Sequence, residues 1–482
     1  MEPATARPKA PTAAPPTVGF SSLENEVQLD SIPLEGELPG WLEGSLLRTG
    51  PSKFEAGEQR FRHWFDGQAM LHRFGLSGGE GSVSYAGRFL ETKAYAAASA
   101  GRIGYSEFAT DPCRGLFKRM MSIFDPGISD NCNVNLTKLG ERYIAMTETP
   151  IPVQFDGETL ATVGVAYDVP GMLTTAHPHL ERATGGMLNY AAKLGLRNEY
   201  RFFHLAPEPD ARPEVVASMP VTHPAYMHSF GLSQRWLILA EFPFVVDPKR
   251  ILLSGRPFIE NFRWEPERGT RFTLFDRQDG TRVGPFTAEP FFCFHHLNAF
   301  DVEDGAVVID MQTYEDASLI DQLYLDELRA PGGPRIPTPR VERITIDPGA
   351  PAGSLARRET LLDPGFELGR INYGRCNERP YRYAWGLTPS EPGGWLDTIG
   401  RADFEARRTT SWREPGSYPG EPVFVARPGA EGEDDGVLLS VVLDAAAERS
   451  FLLVLDASDL SELARAVAPH HIPFGFHGQF AH

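Results

Sequence analysis

Four histidines of this chain sit in short, distinctive contexts: Ala176-His177-Pro178-His179, Met227-His228-Ser229-Phe230-Gly231, Phe294-His295-His296-Leu297-Asn298-Ala299-Phe300 and Phe474-Gly475-Phe476-His477-Gly478. The aromatic, Pro and Gly residues around them mark strand ends. Neutral imidazole suits a borderline divalent metal such as iron(II), zinc or copper, so the chemistry open to this set is metal chemistry. A structural zinc site is tetrahedral and closed. Octahedral iron(II) on four imidazoles keeps two positions for dioxygen or substrate, which is the arrangement of an enzyme. Imidazoles leave the +2 charge uncompensated, so carboxylates are expected to accept the other ring N–H. Candidates are Glu148 in Met146-Thr147-Glu148, Glu367 in Gly365-Phe366-Glu367 and Glu421 in Glu421-Pro422-Val423-Phe424. Each of these also reads, on its own, as an exposed strand-end carboxylate.

The histidines are too far apart in sequence for a local zinc knuckle, so a closed fold must bring distant strand ends together. Short β-branched and aromatic runs recur at Arg142 to Thr149, Arg235 to Val246, Thr270 to Phe275, Ala306 to Thr313, Gly436 to Leu443 and Ser450 to Asp456, punctuated by Gly, Pro and Asp. That is the pattern of an all-β chain. Three runs end alike, at Asp156, Asp276 and Asp456, each followed by a tight turn and a return strand, as in the outer hairpin of a propeller blade. A β-propeller would let one residue from each of four blades surround a single ion; a sandwich or barrel is the alternative.

The 482 residues contain no Ser/Gly-rich or highly charged interior linker, so residues 19–482 are expected to form one domain. Residues 1–18, rich in Pro, Ala and Thr, read as a disordered tail without the apolar core of a signal peptide. A net charge of −18 speaks against a nucleic-acid partner. Four cysteines without a CxxC pair suit a reducing compartment, consistent with a cytoplasmic location. No run approaches the ~18 apolar residues that span a bilayer. Between Arg114 and Phe124, however, Leu116, Phe117, Met120, Met121 and Phe124 share one helical face with Arg114, Lys118 and Arg119 nearby. This is the composition of an interfacial membrane helix, or equally of a helix packed on a core.

The four histidine contexts, the glutamates in TET, FELGRINY and GEPVFV, Arg48-Thr49-Gly50-Pro51 and His63-Trp64-Phe65-Asp66-Gly67-Gln68 resemble the carotenoid cleavage oxygenase family. The resemblance runs from about Gly40 to Gly478, with all four histidine motifs in the family's order. Ser106-Glu107-Phe108 and Asp130-Asn131-Cys132-Asn133 are similar to its animal-type branch, which holds β-carotene cleavage enzymes and the retinoid isomerohydrolase. It implies a seven-bladed propeller with a helical and loop cap, and a non-haem Fe(II) on His177, His228, His295 and His477. Glu148, Glu367 and Glu421 would hydrogen-bond three of the rings, His177 lacking such a partner. Val134 would lie near an open coordination site. Phe61, Phe108, Thr147, Ile320 and Phe366 would line a substrate tunnel, and the segment from Leu116 to Phe124 would dock on a membrane surface beside its mouth.

The function this implies is cleavage of a conjugated C=C bond in a carotenoid or apocarotenoid by O2, giving two carbonyl products. No side chain need act as general acid or base, so positional selectivity would reside in tunnel shape. Retinyl-ester isomerohydrolysis on the same iron and cleavage of a stilbene or phenylpropanoid are the alternative reactions. A propeller that only binds is the alternative class, and the complete His and Glu sets argue against it.

Overall fold

The computed structural model describes residues 16–112, 127–195 and 197–482. Its strands form a seven-bladed β-propeller of antiparallel sheets. Blade 2 runs from its inner strand Asn135–Leu139 to Thr162–Val165, blade 3 from Leu173–Thr174 and His179–Leu180 to Glu214–Val221, and blade 4 from Gly231–Leu232 to Arg282–Ala288. Blade 5 begins with Phe292–Asp301 and blade 6 with Glu367–Arg370. Blade 7 begins with Ser417–Pro419 and Val423–Ala426. The described helices, among them Lys93–Ser99, Pro248–Leu253, Ser318–Gln322 and Leu325–Leu328, are short and lie in the connections between strands.

The ring is closed by exchange between early and late segments. In blade 1, strand Glu43–Lys53 pairs on one side with Gln68–Ser77 and on the other with the late strand Gly478–Ala481, in the register Leu46↔Phe480 and Arg48↔Gly478. In blade 7 the early strand Leu34–Gly36 adds to the outside of Glu462–Val467. Two such stitches leave the seam with ladder hydrogen bonds rather than open sheet edges.

The three Asp-ended hairpins are outer hairpins of blades 2, 4 and 7. They share one turn, in which the Asp carbonyl accepts the N–H four residues on, from Leu160, Gly280 and Leu460, and those residues have φ of 58°, 72° and 63°. The Asp carboxylate also caps the turn, accepting from the N–H of Glu158, Gln278 and Ser458.

Two expectations change. Residues 16–18, expected in the tail, belong to the fold, because Pro16–Phe20 forms a 3-10 turn whose Phe20 is fully buried against Trp64, Trp395 and Phe474, at ring distances of 5.9, 5.0 and 5.1 Å. The aromatic contacts outweigh the composition. The run Arg235 to Val246 is two strands, Trp236–Glu241 and Phe244–Val245, because Pro243 lacks the N–H a continuous ladder needs. The amphipathic stretch from Leu116 to Phe124 lies outside the described residues.

Candidate metal centre

Each blade sends one charged or ligating group toward the axis. His177 lies between the two inner strand pieces of blade 3, His228 just before the inner strand of blade 4, His295 within that of blade 5, and His477 just before that of blade 1. Ligand atoms of these four residues all lie within 4.8 Å of one another. Nε2 of His177 and His228 are 3.0 Å apart, and Nε2 of His295 and His477 3.2 Å. The three glutamates come from the remaining blades: Glu148 from the hairpin turn of blade 2, Glu367 from blade 6 and Glu421 from blade 7.

Strand irregularity aims the rings. Along Phe292–Asp301 the ladder slips between Cys293 and His296 and again between His296 and Asn298. Such bulges redirect side chains that strict alternation would fix. His295 therefore turns to the axis, whereas His296 turns to Ser229, whose hydroxyl lies 2.8 Å from its Nδ1. Glu367 is followed by Leu368 at φ 50°, an uncommon value for a leucine, and this lets the Leu368 N–H donate to the Glu367 carboxylate at 3.0 Å.

The glutamates fix the tautomers. Nδ1 of His228 is 2.6 Å from Glu148, that of His295 is 2.6 Å from Glu367, and that of His477 is 2.8 Å from Glu421. A carboxylate only accepts, so each Nδ1 carries the hydrogen and each neutral ring presents its Nε2 lone pair to the axis. Burial disfavours protonation of the His228 and His477 rings. It pushes His228 below the usual imidazole range and His477 down to about 4, against the opposing pull of Glu148 and Glu421. Glu421 is held at about 2, because Arg370, His477 and Arg48 together outweigh the upward push of its own burial. Glu367 is likewise held low, its burial being outweighed chiefly by His295. Lone pairs converging this closely repel unless a cation sits among them, and four imidazole nitrogens with carboxylate-tied rings are a donor set for a divalent transition metal. No carboxylate reaches His177 among the described residues; its backbone N–H donates to Thr175 Oγ1 at 3.2 Å.

Aromatic side chains pack on one side of the histidines. Phe65 stacks toward His228 at 6.4 Å and Phe294 lies 5.0 Å from the same ring. Phe476 and Phe108 pack on Phe65 at 4.9 and 5.0 Å, and Tyr226 lies 6.1 Å from Phe108. Polar handles in this wall are occupied: Tyr226 OH donates to Glu148 at 2.6 Å and Trp64 Nε1 to the Phe474 carbonyl at 2.9 Å. Of the residues expected to line a tunnel, Phe108 belongs to this wall. Val134 is beside the centre, its carbonyl accepting from the His477 N–H at 3.3 Å. Thr147, half-buried, precedes Glu148, and Ile320 is buried with its carbonyl 3.0 Å from His63 Nε2. Phe61 and Phe366 are not brought there. Phe61 packs with Ala56 and Ala98 in a small separate cluster. The Phe366 ring packs with Leu297 and Val341 against Gly369 and Gly386, because alternation turns the neighbour of the axial Glu367 into the space between blades.

Next to Phe65 and Phe108 lies a buried polar knot that sequence reasoning misses as a site. Asp66 accepts from the N–H of His63 and Ala109 and from Thr110 Oγ1, and Glu107 accepts from Ser129 Oγ and Gln68 Nε2. Burial raises Asp66 to about 6; burial and then the Asp66 charge raise Glu107 to about 8. The signal lay in His63-Trp64-Phe65-Asp66-Gly67-Gln68, Ser106-Glu107-Phe108 and Asp130-Asn131-Cys132-Asn133, segments distant in sequence that share one hydrogen-bond network.

Residues 20–482 match the profile of the retinal pigment epithelial membrane protein family. The chain is 35% identical to a carotenoid isomerooxygenase of Galleria mellonella, covering 96% of each chain. It is 34% identical to a mitochondrial carotenoid-cleaving dioxygenase of Mustela putorius furo, covering 96% of this chain and 95% of that one. Among solved structures it is similar to cobalt-substituted Synechocystis ACO, with a TM-score of 0.85 and 27% identity over 96% of this chain and 98% of that one.

Proposed function

From the premise that this chain belongs to the retinal pigment epithelial membrane protein family of carotenoid oxygenases, we propose that it cleaves a conjugated C=C bond of a carotenoid or apocarotenoid with O2, giving two carbonyl products, at an iron(II) held by His177, His228, His295 and His477. The observation that carries the reading is the convergence of four imidazoles within 4.8 Å, three of them tied at Nδ1 to glutamates, of which Glu367 and Glu421 are buried. Iron(II), when bound, supplies the electron chemistry that ground-state dioxygen needs to react with a closed-shell double bond.

The chain's own residues do the rest by position. The three carboxylates keep the rings oriented and offset the ion's charge. Phe65, Phe108, Phe294 and Phe476 offer an apolar wall on which a polyene can lie, and with the Tyr226 hydroxyl and Trp64 N–H already bonded, no unpaired polar group of theirs faces it. Nothing in the wall moves a proton, as suits a reaction that adds two oxygen atoms and releases no leaving group.

A water-insoluble polyene must be collected from a lipid phase, so the reading includes peripheral contact with a membrane surface from the cytoplasmic side, supported by the spacing of Leu116, Phe117, Met120, Met121 and Phe124. Among the described residues no helix is long and apolar enough to cross a membrane. Changing Phe117, Met120 and Phe124 together to Ser should abolish liposome co-sedimentation and slow cleavage of membrane-embedded substrate more than of detergent-solubilised substrate. An equal fall in both would refute the membrane contact.

The decisive experiment is anaerobic iron loading followed by product analysis, with and without O2, on β-carotene and on apocarotenals of several lengths. Cleavage only in the presence of O2 is expected; conversion without O2 would overturn the oxygenase reading. His295→Ala should remove most of the iron and activity, whereas His296→Ala, lacking a ring bonded to Ser229, should retain most of the metal. Equal iron loss in both would remove His295 from the ligand set.

A further inference from the structure

The segment carrying His477 is gripped unlike those carrying the other three histidines. Arg370, on the inner strand of blade 6, donates from Nη2 to the Gly478 carbonyl at 3.0 Å and places Nη1 3.6 Å from the Glu421 carboxylate that holds His477. Arg48, in blade 1, directs Nη2 at the Phe476 carbonyl at 3.5 Å and acts electrostatically on the same Glu421. The Gly478 N–H donates to the other Glu421 oxygen at 2.9 Å. The carbonyls on both sides of His477 thus face guanidinium groups, and the carboxylate on its ring lies between them. By contrast, the carboxylate on His228 receives a phenol, Tyr226, and that on His295 the N–H of Leu368.

We infer that Arg370 is a positioning residue that couples closure of the propeller to the metal centre, holding the last of the four converging histidines in chain order through the Gly478 carbonyl and Glu421. Rigid guanidinium geometry suits this double contact, which a lysine point charge reproduces only in part. Arg370 joins three blades at one point: its own blade 6, Glu421 of blade 7 and Gly478 of blade 1. The ladder pairing Gly478 with Arg48 closes the seam from the other side.

This inference rests on the metal reading, and its test separates the two. Wild type, Arg370→Gln and Arg370→Lys are loaded with cobalt(II), release of the ion to a chelator is timed, and the visible spectrum of the bound ion is recorded. Amide exchange over residues 474–481 is followed in the metal-free proteins. The Gln variant should lose cobalt about tenfold faster, the low end for loss of a ligand's supporting partner, with a changed visible spectrum and faster exchange at 476–478. The Lys variant should fall between the two. Because Arg370 also compensates the buried Glu421, thermal unfolding of the metal-free proteins is recorded alongside, and Arg370→Lys, which keeps the charge, should unfold close to wild type. Wild-type release and wild-type exchange in Arg370→Gln would overturn the inference. Failure of wild type to bind cobalt would overturn the metal reading, while faster exchange in the metal-free variant would still support the grip on Gly478.

Discussion

At the scale of single residues, the three glutamates are not equivalent. Glu367 faces His295 and the N–H of Leu368, so Glu367→Gln should lower metal affinity by about 10–100-fold with little change in folding stability, checked by metal titration beside thermal unfolding. Glu421 also faces two guanidiniums, one of them on the 95%-buried Arg48. Glu421→Gln should therefore weaken metal binding and also cost about 3–5 kcal/mol, because an uncompensated buried cation remains. Glu107 gives a different signature. Burial and Asp66 raise it to about 8 from an ordinary 4.5, so the folded state holds a proton that the unfolded chain releases. Stability contributed at this site is full at low pH and falls as pH rises from about 4.5 to 8. Glu107→Gln should flatten that slope and be the more stable protein at pH 9 in denaturant titrations; a parallel slope would refute the assignment. The histidines were legible because each carries its own local motif. Arg370 and Tyr226 were not, since their roles exist only across blade boundaries. Phe366 was misplaced because a resemblance marks a position and not the face on which its side chain emerges.

At the scale of elements, strand runs were legible where β-branched and aromatic residues cluster between turn residues, and Thr270–Asp276, Val307–Tyr314, Gly436–Asp444 and Arg449–Asp456 differ from the sequence reading by a residue or two. A related Asp-capped turn with a left-handed residue four positions on also occurs elsewhere. Asp403 and Asp444 also cap turns whose fourth residue, Arg407 at φ 50° or Glu448 at φ 48°, is left-handed. Sequence does not mark these turns, because that position is charged rather than Gly or Leu. A non-glycine residue there carries about 1–2 kcal/mol of strain, partly offset by glycine's greater entropy loss on folding. Glu448 is exposed, and among the described residues its side chain makes no hydrogen bond. Glu448→Gly should accordingly stabilise the blade 7 hairpin by roughly 0.5–1 kcal/mol, measurable as a higher denaturation midpoint. Leu460→Gly, which empties a buried site, should destabilise it.

At the scale of the whole molecule, seven blades supply four histidines and three glutamates, one group each, so the ring and the centre are built together. Gly478 is where they meet: a Cβ there would lie 2.6 Å from Arg48 Cγ and 2.8 Å from the Leu47 carbonyl. Gly478→Ala should push the late strand off blade 1, raising amide exchange along Glu43–Lys53 and lowering metal retention together; loss of one without the other would separate seam from centre. The closed ring was legible only as a requirement, since sequence shows that four distant histidines must meet but not which strands exchange at the seam. That exchange also orders events in time. A ribosome delivers His177, His228 and His295 first, and His477 follows His295 by 182 residues, roughly 10–40 s at ordinary elongation rates. During that interval the nascent chain holds three of the four imidazoles and lacks the strand that closes the ring. The fourth imidazole joins the other three only when the last strand is threaded into blade 1, so closing the ring and completing the centre are one event.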